Sequence, residues 1–300
     1  MSRKFLNNCL YSVSIVFKNR SRFFARQTNH DYVEGIRHMV KELHASGYQL
    51  SNIQHIKRKH VDFLIKEWQG RDLDTATIKN RLSQLRYLAE LIKKPGLLPT
   101  ENLSLGIGRR SYISLYSKAI HDIDLSKFEN PLIRYSVQLQ QNFGLRREEA
   151  IKFVASYADL GDKIQLKPSW TKGGIGREIP ITTLEQRALL NELKKALGAE
   201  KSLIPDGKDY AYQKEVYKEL VKQSGYTNLH GLRHAYAQRR YFELTDALTE
   251  GKGWHAPFNG GKKRKELTLD EREIDNAAKE SIAQELGHSR REISSIYIGR

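Results

Sequence analysis

Apolar side chains recur at steps of three and four along the first hundred residues, a spacing that predicts amphipathic helices. One stripe covers residues 28–45, and a second covers residues 53–68. A third helix is predicted to begin at a cap provided by Asp74 or Thr75 and to end at a Lys-Lys-Pro-Gly run. These stripes together indicate a helical N-terminal module.

The rest of the chain mixes helical patterns with a pair of short strands. Residues 164–166 and 177–181 are typical of strands, and the glycine-rich turn between them predicts a β-hairpin. Helical periodicity predicts further helices at residues 112–120, 131–143, 183–197, 210–224, 229–245 and 270–286. The fold class is therefore mainly α with a small β-sheet.

These patterns divide the chain into four parts. Residues 1–22 are basic without clear periodicity and are interpreted as an N-terminal arm or disordered tail. The helical module follows at 23–95, and the Gly- and Pro-containing stretch at 96–114 predicts a linker. A second, mixed α+β domain occupies 115–300, with an exposed insert at about 248–275.

Composition narrows the class of protein. With 300 residues, 39% hydrophobic and 29% charged, the chain can form two folded domains and is too apolar to be disordered. Its longest N-terminal apolar stretch, residues 10–17, is too short to span a bilayer and lacks a signal-peptide cleavage site. Cys9 is the only cysteine, so neither an internal disulfide nor a cysteine-rich zinc site is expected, and a reducing cytoplasm fits best.

The charge is large and unevenly distributed. The formal net charge is +16, which favours a polyanionic partner, nucleic acid first and an anionic membrane second. Residues 1–118 hold 21 Lys and Arg against 9 Asp and Glu, whereas residues 119–300 hold 30 against 26. This asymmetry predicts an N-terminal module that binds a polyanion and a second module with another role.

The third predicted helix has a polar surface suited to DNA. Lys79, Arg81 and Arg86 carry cations for phosphates, and Asn80 among them can reach base edges. A solvated polar face is the alternative interpretation of the same residues.

Four short motifs in the second domain carry candidate chemistry. The first is the Gly-Leu-Arg-Arg-Glu-Glu run that contains Arg146 and Glu149, and the second is Lys172 at the hairpin turn. The others are listed in chain order: His230-Gly231-Leu232-Arg233-His234 at a helix start, then Leu286-Gly287-His288, with Tyr297 nine residues later. A histidine and an arginine three apart at a helix N-terminus suit an anion.

Together the four motifs resemble the catalytic domain of the tyrosine recombinases, the phage-integrase family. That family has an arginine in Gly-Leu-Arg-x-x-Glu, a hairpin lysine, His-x-Leu-Arg-His, and Leu-Gly-His with a tyrosine nine residues on. The resemblance covers residues 115–300 strongly. Residues 24–95 more weakly resemble the family's SAM-like core-binding domain. Their sequence is similar to that of integrases of mobile and integrating conjugative elements.

The resemblance implies a site-specific DNA recombinase or integrase. Tyr297 would attack a phosphodiester to give a 3′-phosphotyrosyl intermediate, Lys172 would protonate the leaving 5′-oxygen, and no metal, ATP or other cofactor would be needed. Arg146, Arg233, His230 and His288 would surround the phosphate, with Glu149 and His234 in support. The family further implies double-stranded DNA and a homo-tetramer on two DNA sites as partners, with possible accessory DNA-bending proteins, in a bacterial cytoplasm and without a membrane.

Two departures from the family pattern stand out. The stretch between Arg233 and His288 is longer than in compact relatives, and the excess includes Trp254, His255 and the basic run at residues 262–265. This insert is expected to touch DNA or a partner subunit, or to be a solvated loop. The chain also stops three residues after Tyr297, which puts in doubt the tail exchange between protomers seen in many relatives.

Three other functions stay open on the sequence. His230 and His234 have the i, i+4 spacing of a zinc site, although the glutamate of His-Glu-x-x-His is missing. A DNA-binding protein with a non-catalytic recombinase-like domain would use the same basic module. A type IB topoisomerase-like strand-passing enzyme shares the chemistry and differs in exchanging no DNA partners.

Overall fold

The computed structural model describes residues 2–18 and 26–300, which form two compact units, the first ending at Ser111 and the second beginning at Tyr112. The helices of the first unit are α1 (Ser2–Lys18), α2 (Arg26–Ala45), α3 (Arg58–Gly70) and α4 (Thr75–Leu91). Asp74 caps α4, because its carboxylate accepts a hydrogen bond from the Ala76 amide at 2.7 Å. The helical N-terminal module is therefore confirmed, including one of the two proposed caps.

The interpretation of residues 1–22 as an arm is wrong for the part that the structure describes. Residues 2–18 form α1, and Cys9, Val13 and Phe17 are buried in the same core as Leu43 and Trp68. Those three side chains are spaced by four residues and lie on one helix face, between serines and asparagines that hide the stripe. Residues 19–22 lie outside the described residues.

The predicted linker also belongs in part to the first unit. Leu97, Leu98 and Ile107 are buried in its core, so this stretch is packed structure rather than a free connection. The predicted helix at 112–120 is absent from the structure. Ser114 and Ser117 instead accept hydrogen bonds from the amides two residues later, a local pairing that competes with helical hydrogen bonds.

The second unit surrounds one central helix. Its helices are α5 (Pro131–Phe143), α6 (Arg147–Ile151), α7 (Ala155–Ala158), α8 (Leu184–Leu197), α9 (Tyr210–Gln223), α10 (Gly231–Leu248), α11 (Leu269–Glu285) and α12 (Ser295–Ile298). Strands β1 (Lys163–Leu166) and β2 (Arg177–Pro180) pair antiparallel, with Ile164 opposite Ile179. The mainly α fold with a small β-hairpin is confirmed.

Helix α10 is the scaffold of this unit. Most of its first eight residues are nine-tenths or more buried, including Leu232, Arg233 and Tyr236. It packs against α5, α11 and α12, so the elements that carry three of the four motifs meet on it. Of the predicted insert at 248–275, the last residues already form the start of α11, and residues 249–268 connect the two helices.

Candidate active site

The N-terminus of α10 places a buried arginine at the centre of the candidate site. Arg233 is 1% exposed, and its guanidinium donates hydrogen bonds to the backbone oxygens of Gly144, at 2.5 Å, and Leu286. These two acceptors lie beside the first and the fourth sequence motifs, so one side chain ties three motifs together. The Nε atom of Arg233 has no hydrogen-bond partner among the described residues. This nitrogen is buried, so a ligand oxygen would have to enter the site to reach it.

The fourth motif places a histidine between this arginine and the tyrosine. The Nε2 atom of His288 lies 3.1 Å from the Tyr297 hydroxyl and 3.4 Å from Nη2 of Arg233. A guanidinium has donors and no acceptor, so the contact with Arg233 favours the tautomer with a lone pair on Nε2. In that tautomer, the Tyr297 hydroxyl donates to His288. This is the arrangement of a nucleophile beside a general base.

Three histidines and the arginine enclose the tyrosine ring. The ring centroid of Tyr297 lies 4.7 Å from that of His234 and 6.1 Å from that of His230, and the Arg233 guanidinium carbon is 5.7 Å away. The tyrosine is only 6% exposed. Its backbone oxygen accepts a hydrogen bond at 2.9 Å from the buried amide of Gln238, one turn along α10 from His234. Helix α10 thus contacts the ring and the backbone oxygen of the tyrosine, whereas His288 contacts its hydroxyl.

The first motif supplies a second arginine, held by a buried carboxylate. Glu149 accepts a hydrogen bond from Nη1 of Arg146 at 2.7 Å and two from Arg177, at 2.9 and 2.7 Å. Its side chain is 1% exposed, whereas that of Arg146 is 24% exposed. The carboxylate thus anchors Arg146 by one nitrogen, and the guanidinium still reaches the surface. Glu149 is thus buried and holds two arginines, and its supporting role in the reaction stays a prediction.

The electrostatics of the site favour an anion. Burial, together with the positive charges of Arg233 and Arg146, lowers the pKa of His230 and His288 to about 4. Burial and the nearby His230 also lower the pKa of His234 to about 4. All three imidazoles are therefore neutral at pH 7 in the free protein. A phosphate placed among them would meet positive charge and imidazoles that can accept protons.

The carboxylate in this cluster stays ionised. Burial by itself would raise the pKa of Glu149, but the hydrogen bonds and charge of Arg177, with the charges of Arg146 and Arg233, bring that pKa down to about 2. The pKa of Arg233 is lowered to about 10 by burial, so the guanidinium remains charged at neutral pH. The site therefore carries more cations than its single buried carboxylate can neutralise.

Lys172 lies apart from this cluster. It is exposed at the tip of the hairpin, in a loop where Thr171 donates to the backbone oxygen of Ile175 at 2.7 Å. Gly173 and Gly174 have positive φ, which sharpens the turn. The loop end of the two strands is fixed to the site, because Arg177, the first residue of β2, bonds to Glu149. The structure thus connects the strand to the site and leaves the lysine free to meet a ligand from outside.

The DNA-binding residues predicted on α4 fall into two groups. Arg81 pairs with Glu42 at 3.2 Å and lies over the ring of Trp68, 4.9 Å from its centroid. Arg86 donates to the backbone oxygen of Pro99 at 3.0 Å and to Asn102 at 2.7 Å. Both guanidinium groups are used within the first unit. Lys79 is half-buried and Asn80 is exposed, and their contact with DNA stays a prediction.

Two residues of the site were missed from the sequence. Arg177 bridges Glu149 and the backbone oxygen of Glu285 at 2.7 Å, so it links the hairpin to the turn before His288. A buried glutamate needs more than one cationic partner, and the charged residue opening β2 was the available signal. Gln238 follows His234 by one turn, and nothing in its local pattern marks it.

The zinc alternative finds little support in the side-chain arrangement. His230 and His234 lie edge to face at 5.5 Å, with Tyr297 beside both. Within the described residues, no three His, Cys, Asp or Glu side chains cluster as metal ligands would.

The described residues include no helix with the length and apolar character needed to cross a bilayer.

Comparison with known proteins identifies two matching families in chain order. The phage integrase N-terminal family matches residues 18–94, and the integrase family matches residues 113–239. Together the matches span more than two thirds of the chain. The second match includes Arg146, Lys172, His230 and Arg233, whereas His288 and Tyr297 lie beyond it. No curated protein sequence matches the chain significantly.

Solved structures share the fold at low sequence identity. A lambda integrase dimer bound to a COC′ core site is 15% identical, with a TM-score of 0.58 over 95% of this chain and 94% of that one. The Tn1549 transposon integrase with circular intermediate DNA is 14% identical, with a TM-score of 0.52 over 96% and 95% of the two chains. The XerH recombinase in a post-cleavage complex with its difH substrate is 17% identical, with a TM-score of 0.52 over 88% and 75%.

The ordered family matches, the shared fold and the meeting of three of the four motifs on α10 agree with one another. The chain belongs to the phage-integrase family of tyrosine recombinases.

Proposed function

We propose that this protein is a site-specific DNA recombinase that cleaves and rejoins DNA strands through Tyr297. The observation that carries the proposal is the Tyr297 hydroxyl 3.1 Å from Nε2 of His288, with the buried Arg233 against both. A phenol has a pKa of about 10, so it attacks at neutral pH only beside a base or fixed positive charge. This site provides both.

The arginines prepare the phosphate for attack. A phosphodiester repels nucleophiles because it is anionic, and fixed cations around its non-bridging oxygens offset that repulsion in the transition state. Arg146 presents a partly exposed guanidinium and Arg233 has an unpaired Nε. Both suit the paired oxygens of a phosphate. His230, at the start of α10, supplies a further polar contact to the same oxygens.

In the covalent step, the phosphate is transferred from the 5′-oxygen of DNA to Tyr297. The Tyr297 oxygen forms a bond to phosphorus, and its proton passes to Nε2 of His288. The bond from phosphorus to the 5′-oxygen breaks, and Lys172 gives that oxygen a proton. The products are a 3′-phosphotyrosyl enzyme and a free 5′-hydroxyl. Because the covalent link conserves the phosphodiester energy, another 5′-hydroxyl can reverse the step and join a new partner without ATP.

Double-stranded DNA is the substrate that this chemistry and the charge distribution favour. The first unit carries most of the excess positive charge, and Lys79 and Asn80 of α4 remain available to contact DNA, with Arg81 and Arg86 holding the helix in place. XerH has been captured on its difH substrate and lambda integrase as a tetramer on a Holliday junction. By analogy, this chain would act as a homo-tetramer on two DNA sites in the bacterial cytoplasm, with accessory DNA-bending proteins as further partners.

The proposal predicts a covalent protein–DNA adduct. A nicked DNA site that loses its 5′-hydroxyl fragment after cleavage traps the intermediate, so the wild type should form a complex that survives denaturing electrophoresis. The Tyr297→Phe variant keeps the ring packing and lacks the nucleophile. It should bind the same DNA with unchanged affinity and form no adduct. An adduct of equal yield in the variant would remove Tyr297 from the reaction.

A further inference from the structure

Residues 249–268, here named the clasp, connect α10 to α11 and touch the turn that carries Tyr297. The sequence allowed three interpretations of this segment: a contact with DNA, a contact with a partner subunit, or a solvated loop. In the structure it is packed, with Ala256 fully buried in the same core as Tyr297 and Ile298. Trp254 packs against that core. Leu267 is buried as well, whereas most of the segment is exposed, so the clasp follows the surface of the second unit and is anchored there by a few side chains.

The first half of the clasp is fixed to α10. The Trp254 amide donates to the Thr245 hydroxyl at 3.2 Å, and its indole nitrogen donates to the Tyr241 hydroxyl at 3.1 Å. The ring of His255 stacks on Phe242 at 4.6 Å and 19°. These contacts are spaced along the C-terminal half of α10. They fix the direction in which the clasp leaves the helix.

The second half is fixed to α11 by ion pairs. Arg264 pairs with Asp275 at 2.9 Å, and Lys262 pairs with Glu271 at 2.5 Å. Asp275 is buried and also accepts hydrogen bonds from Tyr241 and Lys279, both at 2.8 Å. Two cations of the basic run are thus engaged within the protein. Their pairing argues against a run that is wholly devoted to DNA.

Between these two anchors, the clasp lies against the residue that ends α12. Gly299 has φ 94° and ψ −175°, and a Cβ atom built there would lie 3.1 Å from the Phe258 amide nitrogen and 3.1 Å from Cβ of Pro257. A side chain at position 299 would therefore make an unusually tight contact with the clasp, and the positive φ also favours glycine there. Gln238 holds the same turn from the α10 side, through the Tyr297 backbone oxygen.

We propose that the clasp is a positioning element for cleavage, which holds α12 so that the Tyr297 hydroxyl stays within hydrogen-bond distance of His288. This inference rests on the proposed function. Pro257 and Phe258 act through the backbone of Gly299, and Arg264 acts by fixing the clasp to α11. An error of about 1 Å in the position of a reacting group can cost on the order of a hundredfold in rate. A displaced α12 would therefore slow cleavage without weakening DNA binding.

Arg264→Met tests the anchor. Asp275 keeps Lys279 and Tyr241 as partners, so the variant should fold, with an unchanged melting temperature and an unchanged dissociation constant for DNA. We expect its single-turnover cleavage rate at saturating DNA to fall about tenfold. Arg264→Lys keeps the ion pair and should recover the rate. Lys265→Met, a neighbouring exposed cation, should cleave like the wild type.

Gly299→Ala tests the contact itself. Its Cβ should push the clasp away, and cleavage should fall by at least about tenfold. Gly198→Ala is the matched control, because Gly198 has a similar backbone conformation (φ 74°, ψ −168°) and no atom within 4 Å of its Cβ position. It carries the same backbone strain without touching the clasp.

Amide hydrogen exchange gives a measurement that does not depend on activity. The amides of residues 295–299 should exchange faster in Arg264→Met than in the wild type and in Lys265→Met. Wild-type exchange and cleavage in both Arg264→Met and Gly299→Ala would overturn the proposal. So would weaker DNA binding of Arg264→Met with an unchanged cleavage rate, which would assign the clasp to DNA. A wild type that forms no adduct would instead refute the proposed function, and the exchange experiment would still test the clasp.

Discussion

At the scale of single residues, the number of protein partners that an arginine has determines whether its guanidinium is free to bind a ligand. The Arg146 guanidinium makes one hydrogen bond to Glu149, through Nη1, and remains partly exposed, whereas Arg177 uses both of its terminal nitrogens on the same carboxylate. The two arginines therefore differ in role although both touch Glu149. Arg146 can bind a ligand, and Arg177 fixes the carboxylate that orients it.

Replacement of Arg177 should lower the free energy of unfolding by more than replacement of an arginine in a surface ion pair. Arg177→Met leaves the buried Glu149 carboxylate with one arginine fewer, and breaking such a pair costs about 3 kcal/mol or more. Urea unfolding should show this loss. Arg291→Met is the control, because the ion pair that it makes among the described residues, to Glu292 at 3.6 Å, lies on the surface and should be worth less than about 1 kcal/mol. Equal effects of the two substitutions would contradict the role given to Arg177.

At the scale of elements, periodicity and caps were sufficient for most helices and for the hairpin. Helices α5 and α9 and the two strands lie within a few residues of their predicted bounds. Helix α1 was missed because serines and asparagines flank its apolar stripe. The helix predicted at 112–120 failed because serine side chains compete for the backbone amides there. Local pattern does not report such competition.

On α4, the residues predicted to bind DNA differ in role, because Arg81 is paired within the protein whereas Lys79 remains a candidate for DNA contact. Lys79→Ala should weaken DNA binding and reduce the slope of log affinity against log salt by about 1, because one phosphate contact is lost. The effect of Lys79→Ala on stability should be small.

Arg81→Ala should lower the stability of the first unit instead, because Arg81 would lose its ion pair with Glu42 and its contact with Trp68. Fluorescence anisotropy at several salt concentrations and thermal unfolding would separate the two effects, with the exposed Lys66→Ala as a control. A salt slope unaltered in Lys79→Ala would place that residue away from DNA.

At the scale of the whole molecule, the motifs were predictable and their arrangement was not. The order of Arg146, His230, Arg233, His288 and Tyr297 along the chain indicated the chemistry. Their meeting on α10 depends on Arg177, Gln238 and the clasp, which act through long-range contacts that no local spacing records. The exposed position of Lys172 likewise follows from the hairpin as a whole.

The three histidines of the site predict how stability depends on pH. His230, His234 and His288 each have a folded-state pKa of about 4, below their ordinary 6.5. The unfolded chain therefore binds more protons between these values, so stability should fall as the pH drops from 7 towards 4. Glu149 contributes its own loss only below its ordinary pKa of 4.5.

Thermal unfolding at pH 7, 6 and 5 checks this dependence. The melting temperature should fall by at least about 5 °C across that range. His288→Gln removes one titrating group and should make the decline shallower. Replacement of the exposed His30 by Gln should leave it as in the wild type. A melting temperature that is constant from pH 7 to 5 would contradict the lowered pKa values of these histidines.

The central claim is that Tyr297 forms the covalent bond to DNA, and mass spectrometry of the trapped adduct tests it most directly. After nuclease and protease digestion, the peptide that contains Tyr297 should carry the mass of a nucleotide joined through its 3′-phosphate, and the released strand should bear a 5′-hydroxyl. A nucleotide on any other residue, or a linkage through a 5′-phosphate, would contradict the account.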